Sequence, residues 1–236
     1  MMRKAVAKNF QRKNFRYRGH EVKRIEAFSD AVFAFAVTLL IVSLEVPKTF
    51  EELIATMKGF FAFGLSFLLL MLIWHEQNVF FRRYALDDRF IIFLNGALIF
   101  IVLFYVYPLK FLFTLMFNSV NAQVQIEQSQ VKDLMGIYSA GYVIIYLLFF
   151  LMYWHAAKLK DALELTSHEL FDTHTRMWAQ LILILVGVLS ICLAMILPQE
   201  KSGMAGFTYF LIGPAFTIFY SQREKKRKVL FDNVIE

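Results

Sequence analysis

The residues most able to do chemistry lie at the start of the first apolar region. Arg24, Phe28, Ser29 and Asp30 form the pattern Arg-x-x-x-Phe-Ser-Asp, which leads into an apolar run that continues to Leu44. A carboxylate inside a membrane helix costs about 2.5–3.5 kcal/mol on insertion scales, so Asp30 marks a functional or packing site. Arg24 and Asp30 would point about 120° apart on a helix and therefore cannot pair with each other. Each must find its partners on another helix.

Three polar residues further along the chain are candidate partners for this motif. Trp74, His75 and Asn78 lie near the inner end of the second predicted helix, at the predicted depth of Ser29 and Asp30. They supply an indole N–H, an imidazole and an amide. We expect a polar cluster that ties the first helix to the second. Two interpretations stay open, because the cluster would either fix helix packing alone or contact an ion directly.

A stripe of four residues follows the motif along one face of the first helix. Phe35, Thr38, Leu39 and Val42 have the spacing i, i+3, i+4 and i+7. Such a stripe is more often a buried packing seam than the lining of a pore. Thr38 carries the only hydroxyl of the stripe. This hydroxyl would either offer its oxygen to a partly dehydrated ion or donate its proton to a carbonyl of its own helix.

Membrane-spanning helices must position these residues, because the chain is too apolar for one soluble domain. Of its 236 residues, 58% are hydrophobic. Five apolar stretches are long enough to cross about 30 Å of hydrocarbon: 59–81, 90–109, 134–154, 177–197 and 202–222. A sixth, 31–44, reaches a full span if its helix begins near Val22. The predicted fold class is an all-α membrane protein with six transmembrane helices, and solid apolar runs exclude a β-barrel.

Basic residues are distributed unequally between the two predicted sides of the membrane. With the N-terminus inside, the inner segments hold 20 Lys or Arg, whereas the outer loops hold only Lys48, Lys132 and Lys201. The positive-inside rule therefore predicts that both termini are cytoplasmic. We expect residues 1–236 to form a single transmembrane domain in the cell membrane, with basic cytoplasmic segments at 1–21 and 221–236. This distribution explains the formal charge of +6 without a nucleic-acid partner.

A predicted inner loop, 155–176, holds His168, Glu169, Asp172 and His174. A metal site there is conceivable, but zinc sites usually show tighter signatures such as His-Glu-x-x-His, so we interpret the segment as a solvated loop. The chain shows no nucleophile–base pair, phosphate loop or paired carboxylates. We therefore expect no metal, no cofactor and no enzymatic activity.

The Arg-x-x-x-Phe-Ser-Asp motif at the start of a six-helix chain resembles the transmembrane protein 175 family of potassium-permeable channels. The resemblance covers the motif residues and the short six-helix length, and extends loosely to Trp74 and His75. It implies a single-repeat subunit that assembles as a homotetramer, with four copies of the first helix around a central pore. In that family the pore helix forms a hydrophobic constriction, usually of Ile or Leu, and Phe35 departs from this pattern.

The resemblance also implies passive, potassium-selective conduction in a lipid bilayer. Potassium would then be the permeant ion, with no bound cofactor. No Thr-Val-Gly-Tyr-Gly filter occurs in the chain, so ion preference must arise differently, for example from the dehydration that the constriction demands. The alternative function is a secondary transporter for a small cation or solute. Transporters usually show internal repeats and broken helices, which are not evident here, although Pro108 and Gly213-Pro214 predict kinks in two helices.

Overall fold

The computed structural model describes residues 15–42, 48–58, 60–117 and 126–231. The regular elements in these ranges are helices: α1 (Arg24–Val42), α2 (Phe50–Lys58), α3 (Phe60–Tyr84), α4 (Arg89–Phe117), α5 (Gln128–Lys158), α6 (Ser167–Ile196), a 3₁₀ helix (Gln199–Leu211) and α7 (Ile212–Phe231). The 3₁₀ helix leads directly into α7, and the two correspond to the sixth predicted span. Gly213 and Pro214 lie in the first turn of α7, where the missing N–H of proline is tolerated.

Within the described ranges, five helical segments are long and apolar enough to cross a membrane, namely α3, α4, α5, α6 and the 3₁₀ helix with α7. They coincide with the five long apolar stretches of the sequence, so the prediction of an all-α membrane protein is confirmed. α1 is the sixth long helix, with 19 residues. Its predicted role as a membrane span stays a prediction.

The helices pack in two groups, one around α1 and one around α5 and α6. α1 lies against α3 and α4, while α5 and α6 pack side by side and the 3₁₀ helix contacts both. Aromatic side chains fill the core where α3 approaches α5: Phe80 meets Tyr153 edge-to-face with ring centroids 5.3 Å apart. Gly187 allows α5 and α6 to approach closely, because a Cβ there would lie 2.6 Å from Val143 Cγ2. The paired helices α5 and α6 therefore form a tightly packed unit.

The prediction of an inner loop over residues 155–176 is wrong for most of that range. α5 continues to Lys158 and α6 begins at Ser167, so the connection covers only residues 159–166. Thr166 and Glu169 form a reciprocal capping box: Thr166 Oγ1 accepts from the Glu169 N–H at 3.2 Å, and Glu169 Oε2 accepts from the Thr166 N–H at 3.0 Å. Because these bonds satisfy two N–H groups at the helix start, α6 can begin well before its apolar stretch.

Candidate functional site

α1 has one packed face and one exposed face. Ser29, Phe33, Ala36 and Leu40 are buried against the neighbouring helices. The opposite face carries residues spaced three or four apart, which are all exposed: Arg24, Phe28, Ala31, Phe35 and Thr38. Phe28 is 61% exposed and Phe35 is 56% exposed. Within one subunit, this face of α1 therefore points away from the core.

The motif carboxylate is bound by one of its predicted partners. The indole N–H of Trp74 donates to Asp30 Oδ1 at 2.7 Å, which joins α1 to α3. This length is at the short end of the usual range for N–H···O bonds. Asp30 itself is exposed in the single subunit. The structure thus brings together the two predicted residues Asp30 and Trp74 at the edge of the exposed face.

A second set of polar contacts lies beside this pair on the buried face. The Ser29 hydroxyl donates to the Ile25 carbonyl at 2.8 Å and accepts from Asn95 Nδ2 at 2.8 Å. Gln77 Nε2 then donates to Asn95 Oδ1 at 2.6 Å. Ser29, Asn95 and Gln77 are each at most 2% exposed. This buried chain of hydrogen bonds joins α1, α4 and α3, and its two amides were not among the predicted residues.

Other predicted members of the polar cluster do not join these bonds within the described part of the chain. His75 and Arg24 are exposed, and Asn78 is half-buried. The signal that would have found Gln77 and Asn95 is the presence of two amides inside otherwise apolar helices, since such groups need hydrogen-bond partners when buried.

The stripe predicted to line a pore is only partly on the exposed face. Phe35 and Thr38 are exposed, whereas Leu39 is half-buried and packs against the core. The side chain of Val42 lies outside the described residues. Thr38 Oγ1 donates to the Ala34 carbonyl at 3.0 Å, so its proton is directed into its own helix. The lone pairs of this hydroxyl oxygen remain available on the exposed side.

Glu76 is a further, half-buried polar centre, and it lies inside the predicted apolar stretch 59–81. Its Oε1 accepts from the Tyr153 hydroxyl at 2.7 Å and from Gln180 Nε2 at 2.9 Å. Its Oε2 forms an ion pair with Arg176 at 3.0 Å. These bonds join α3, α5 and α6. A lone carboxylate in an apolar helix was the available signal for this site.

The segment before α1 is tied down at several points. The N–H groups of Arg18 and Gly19 donate to the Arg82 carbonyl at 3.1 and 3.0 Å. Arg18 also forms an ion pair with Glu169 at 3.0 Å, in which the two side chains are 12% and 4% exposed. A Cβ on residue 19 would lie 2.9 Å from the Phe81 carbonyl oxygen, so glycine permits this close approach. Residues 15–19 therefore form an N-terminal strap across the ends of α3 and α6.

The four residues considered for a metal site lie on the first turns of α6. Glu169 is buried and bound to Arg18, so its interpretation as part of a solvated loop is wrong. The His168 ring stacks on Phe231 at 3.7 Å between centroids. Among the described residues, no three His, Cys, Asp or Glu side chains lie close enough to hold a metal ion.

Comparisons with known proteins extend over nearly the whole chain. A family model described as "Endosomal/lysosomal potassium channel TMEM175" matches residues 24–105, which begin at the motif arginine. A curated protein of Marivirga tractuosa named "Potassium channel" is 38% identical over 234 residues, which cover 93% of this chain and 95% of that protein.

Two solved structures are similar to this one. The crystal structure of the T38A variant of the potassium channel MtTMEM175, in complex with a nanobody–MBP fusion protein, matches with a TM-score of 0.79 and 38% identity. The match covers 90% of this chain and 98% of that one. A lysosomal potassium-selective channel TMEM175 homologue from Chamaesiphon minutus matches with a TM-score of 0.56 and 21% identity, over 85% of this chain and 96% of that one, and supports the fold alone.

Proposed function

The chain belongs to the TMEM175 family of potassium channels, and from this membership we propose that it conducts potassium passively and selectively through a pore lined by α1. The observation that carries the function is the 38% identity to a potassium channel over 93% of the chain. As a member of this family the protein is a membrane channel and not an enzyme.

The exposed face of α1 supports its assignment to the pore. One helix per subunit cannot enclose a pore, so several copies of the chain must converge around an axis. The face that would meet at this axis is exposed, without a packing partner in the described part of its own subunit. It also carries small residues, Ala27, Ala31 and Ala34, which let neighbouring helices approach closely. We infer a homotetramer, as the family resemblance implies.

The arrangement of basic residues supports the predicted orientation. The strap, the end of α3, the start of α6 and the end of α7 meet at one end of the bundle, through bonds from Arg18 to Arg82 and Glu169 and from Arg223 to Thr175. Basic residues concentrate there, as expected for a cytoplasmic end. We propose that this end faces the cytoplasm, that the chain is a single channel domain and that it is a multi-pass protein of the cell membrane.

The constriction is proposed at Phe35 and Thr38, with Leu39 and Val42 following along the helix. A ring of phenylalanine side chains narrow enough to exclude water would block a hydrated ion, because no group there replaces its lost water. Leu39 is half-buried, so it would reach the pore only if α1 turned about its axis. Potassium dehydrates more readily than sodium, and the outward lone pairs of Thr38 would soften the remaining cost.

The polar contacts of α1 are proposed to position the pore helix. Ser29 is fully buried and bonded to Asn95, and Asp30 is bonded to Trp74. The Ser29 hydroxyl oxygen and the Asp30 carboxyl oxygen thus already accept hydrogen bonds from the protein. This favours the packing interpretation over direct contact with the permeant ion.

Single-channel recording of the purified protein in planar bilayers under a potassium/sodium gradient tests the function. We expect a reversal potential close to the potassium equilibrium potential and a current that follows the driving force. Saturable uptake coupled to a second ion or solute would instead support a transporter.

The role of Thr38 has a matched control in this chain. Thr38→Ala should lower the potassium-over-sodium permeability ratio while conduction persists. Thr217 on α7 makes the same kind of bond, from its hydroxyl to the Gly213 carbonyl at 2.9 Å. Thr217→Ala therefore removes an equivalent hydroxyl away from the proposed pore and should leave the ratio unchanged. Equal ratios in both variants would contradict the role of Thr38.

A further inference from the structure

The carboxyl end of α1 is bonded to a lysine of the neighbouring helix α4. Lys110 Nζ donates to the Leu40 carbonyl oxygen at 3.3 Å. α1 ends at Val42, so this oxygen is one of the last four carbonyls of the helix, which have no N–H partner within it. The distance is slightly beyond the usual range for N–H···O bonds, but the ammonium charge also attracts the negative end of the helix dipole. Lys110 therefore caps α1 from a neighbouring helix.

α1 has no basic residue of its own at this end. Its last turn contains neither lysine nor arginine. Residues 43–47, which follow it in the sequence, include no glycine, lysine or arginine, although a glycine or a basic side chain commonly ends a helix. The cation that α4 supplies takes the place of such a residue.

The segment of α4 that carries Lys110 is fixed to α5. The Tyr105 hydroxyl donates to the Tyr138 carbonyl at 2.8 Å, and the Leu112 N–H donates to the Tyr138 hydroxyl oxygen at 2.8 Å. These two bonds lie before and after Lys110 along α4. Gly141 permits the contact, because a Cβ there would lie 2.5 Å from the Tyr105 ring. Lys110 is therefore a tether between α1 and the rest of the subunit.

The tether acts on the side of α1 that faces away from the proposed pore. Leu40 is fully buried, whereas Thr38 is exposed, since two residues turn a helix by about 200°. Attraction of the Leu40 carbonyl toward α4 holds the exposed face back from the axis at which the subunits would meet. Without it, this end of α1 would move toward the axis and narrow the constriction at Phe35 and Thr38.

We propose that Lys110 is a positioning residue, which holds the carboxyl end of α1 away from the pore axis and so favours the conducting state. The proposal rests on the proposed function, because it takes α1 as the pore helix. A positive charge that merely repelled the permeant ion would lower the current through each open channel. A tether instead changes how often the channel is open.

Lys132 provides a matched control, because it caps another helix in the same way. Its Nζ donates to the Met195 carbonyl at 2.9 Å, in the last turn of α6. Lys110 and Lys132 are both half-buried. Lys110→Met and Lys132→Met therefore remove the same charge and the same kind of bond, and both retain an unbranched apolar side chain.

Single-channel recording and hydrogen–deuterium exchange of the purified full-length protein test the proposal together. Lys110→Met should lower the open probability about fivefold, which is the size of effect that a cation has at a helix end, and should leave the current through each open channel unchanged. Lys110→Arg retains the charge and should stay within about twofold of the unmodified chain. Lys132→Met should change neither quantity. Peptides that cover residues 36–42 should exchange faster in Lys110→Met alone.

The outcomes separate this proposal from the proposed function. A larger current through each open channel of Lys110→Met would identify its charge as a barrier to the ion and overturn the proposal. Equal losses of open probability in both methionine variants, or unchanged exchange of residues 36–42, would also overturn it. In each of these cases the potassium current still supports the proposed function. Absence of potassium current in the unmodified chain would overturn the proposed function, and this proposal with it.

Folding is checked on the same samples. Lys110→Met and Lys132→Met should lower the unfolding temperature in detergent by similar amounts, because each leaves one helix end without its cation. If Lys110→Met does not fold, Lys110→Gln and Lys132→Gln replace the pair, since glutamine is uncharged and keeps an amide N–H. The loss of open probability should again be confined to position 110, and a loss at both positions would contradict the proposal.

Discussion

α6 and α1 both carry polar residues in an apolar bundle, but they place them differently. On α6 the polar side chains Glu169, Thr173, Gln180 and Ser190 are buried. Each has a partner in the same subunit: for example, Thr173 Oγ1 lies 2.8 Å from the Tyr84 hydroxyl, and Ser190 accepts from Ser139 at 3.0 Å. On α1 only Ser29 is buried, while Arg24, Asp30 and Thr38 lie on the exposed side.

This difference separates a scaffold from an assembling element. Most buried polar groups of α6 are bonded within the subunit and hold the helix in place, whereas Gln180 Oε1 has no hydrogen-bond partner among the described residues. One face of α1 is packed within the subunit, and the other face carries two exposed phenylalanines, Phe28 and Phe35. Changes on α6 should therefore act on the stability of the subunit, and changes on the exposed face of α1 should act on assembly and conduction.

The largest effect is expected at the scaffold ion pair. Glu76→Ala would leave the Arg176 charge without its carboxylate and also remove the acceptor of Tyr153 and Gln180. Because both charges are partly exposed, we expect a loss of about 2–4 kcal/mol, slightly less than for a fully buried pair. The unfolding temperature in detergent should fall by about 5–15 °C.

Glu224→Ala is the control for that variant. It removes a carboxylate from an exposed pair with Lys228, so it should change stability by less than about 0.5 kcal/mol. Similar unfolding temperatures for Glu76→Ala and the unmodified chain would contradict the scaffold role of Glu76.

A second effect tests how the scaffold holds the segment that precedes α1. Arg18 and Glu169 form a nearly buried pair, so a double-mutant cycle with Arg18→Ala and Glu169→Ala should give a coupling energy of about 2 kcal/mol. Limited proteolysis should cut residues 15–19 faster in both single variants, because the strap loses its strongest anchor. Additive stability changes with no coupling would show that the strap is held by its other contacts alone.

The exposed face of α1 is tested by a polar substitution. Phe35→Asn should raise the resting current about tenfold, because a polar ring at the constriction no longer excludes water. Phe104 on α4 is similarly exposed, at 67%, and provides the control Phe104→Asn, which should leave the resting current unchanged. The resting currents of both variants are compared by bilayer recording. Equal currents would mean that α1 does not line the pore.

The smallest effect is expected at the bond that joins α1 to α3. Trp74→Phe removes the N–H that donates to Asp30 and should cost about 1 kcal/mol. We expect a lower yield of assembled protein by size-exclusion chromatography and an unchanged potassium-over-sodium ratio. Trp178→Phe makes the same change at an exposed site on α6 and should alter neither quantity. A normal yield with a changed ratio would instead place Asp30 in contact with the ion.

Part of the site was predictable because its signals are local. Asp30 interrupts an apolar helix start, and Trp74 is a donor at the matching depth of the next span. Asn95 and Gln77 were not predicted, although both are polar and lie in apolar helices. Their contact depends on α4 lying beside α1 and α3, and one sequence does not state which helices are neighbours.

The sequence by itself determined the all-α membrane class and the positions of the five long spans, since apolar runs of this length must satisfy their backbone as helices. It also determined the family, through a motif of four residues. Only the tertiary structure decided which polar residues pair. Glu76 and Glu169 find arginines distant in sequence, at positions 176 and 18. Such pairs form because burial makes an unpaired charge costly, and burial is a property of the packed bundle.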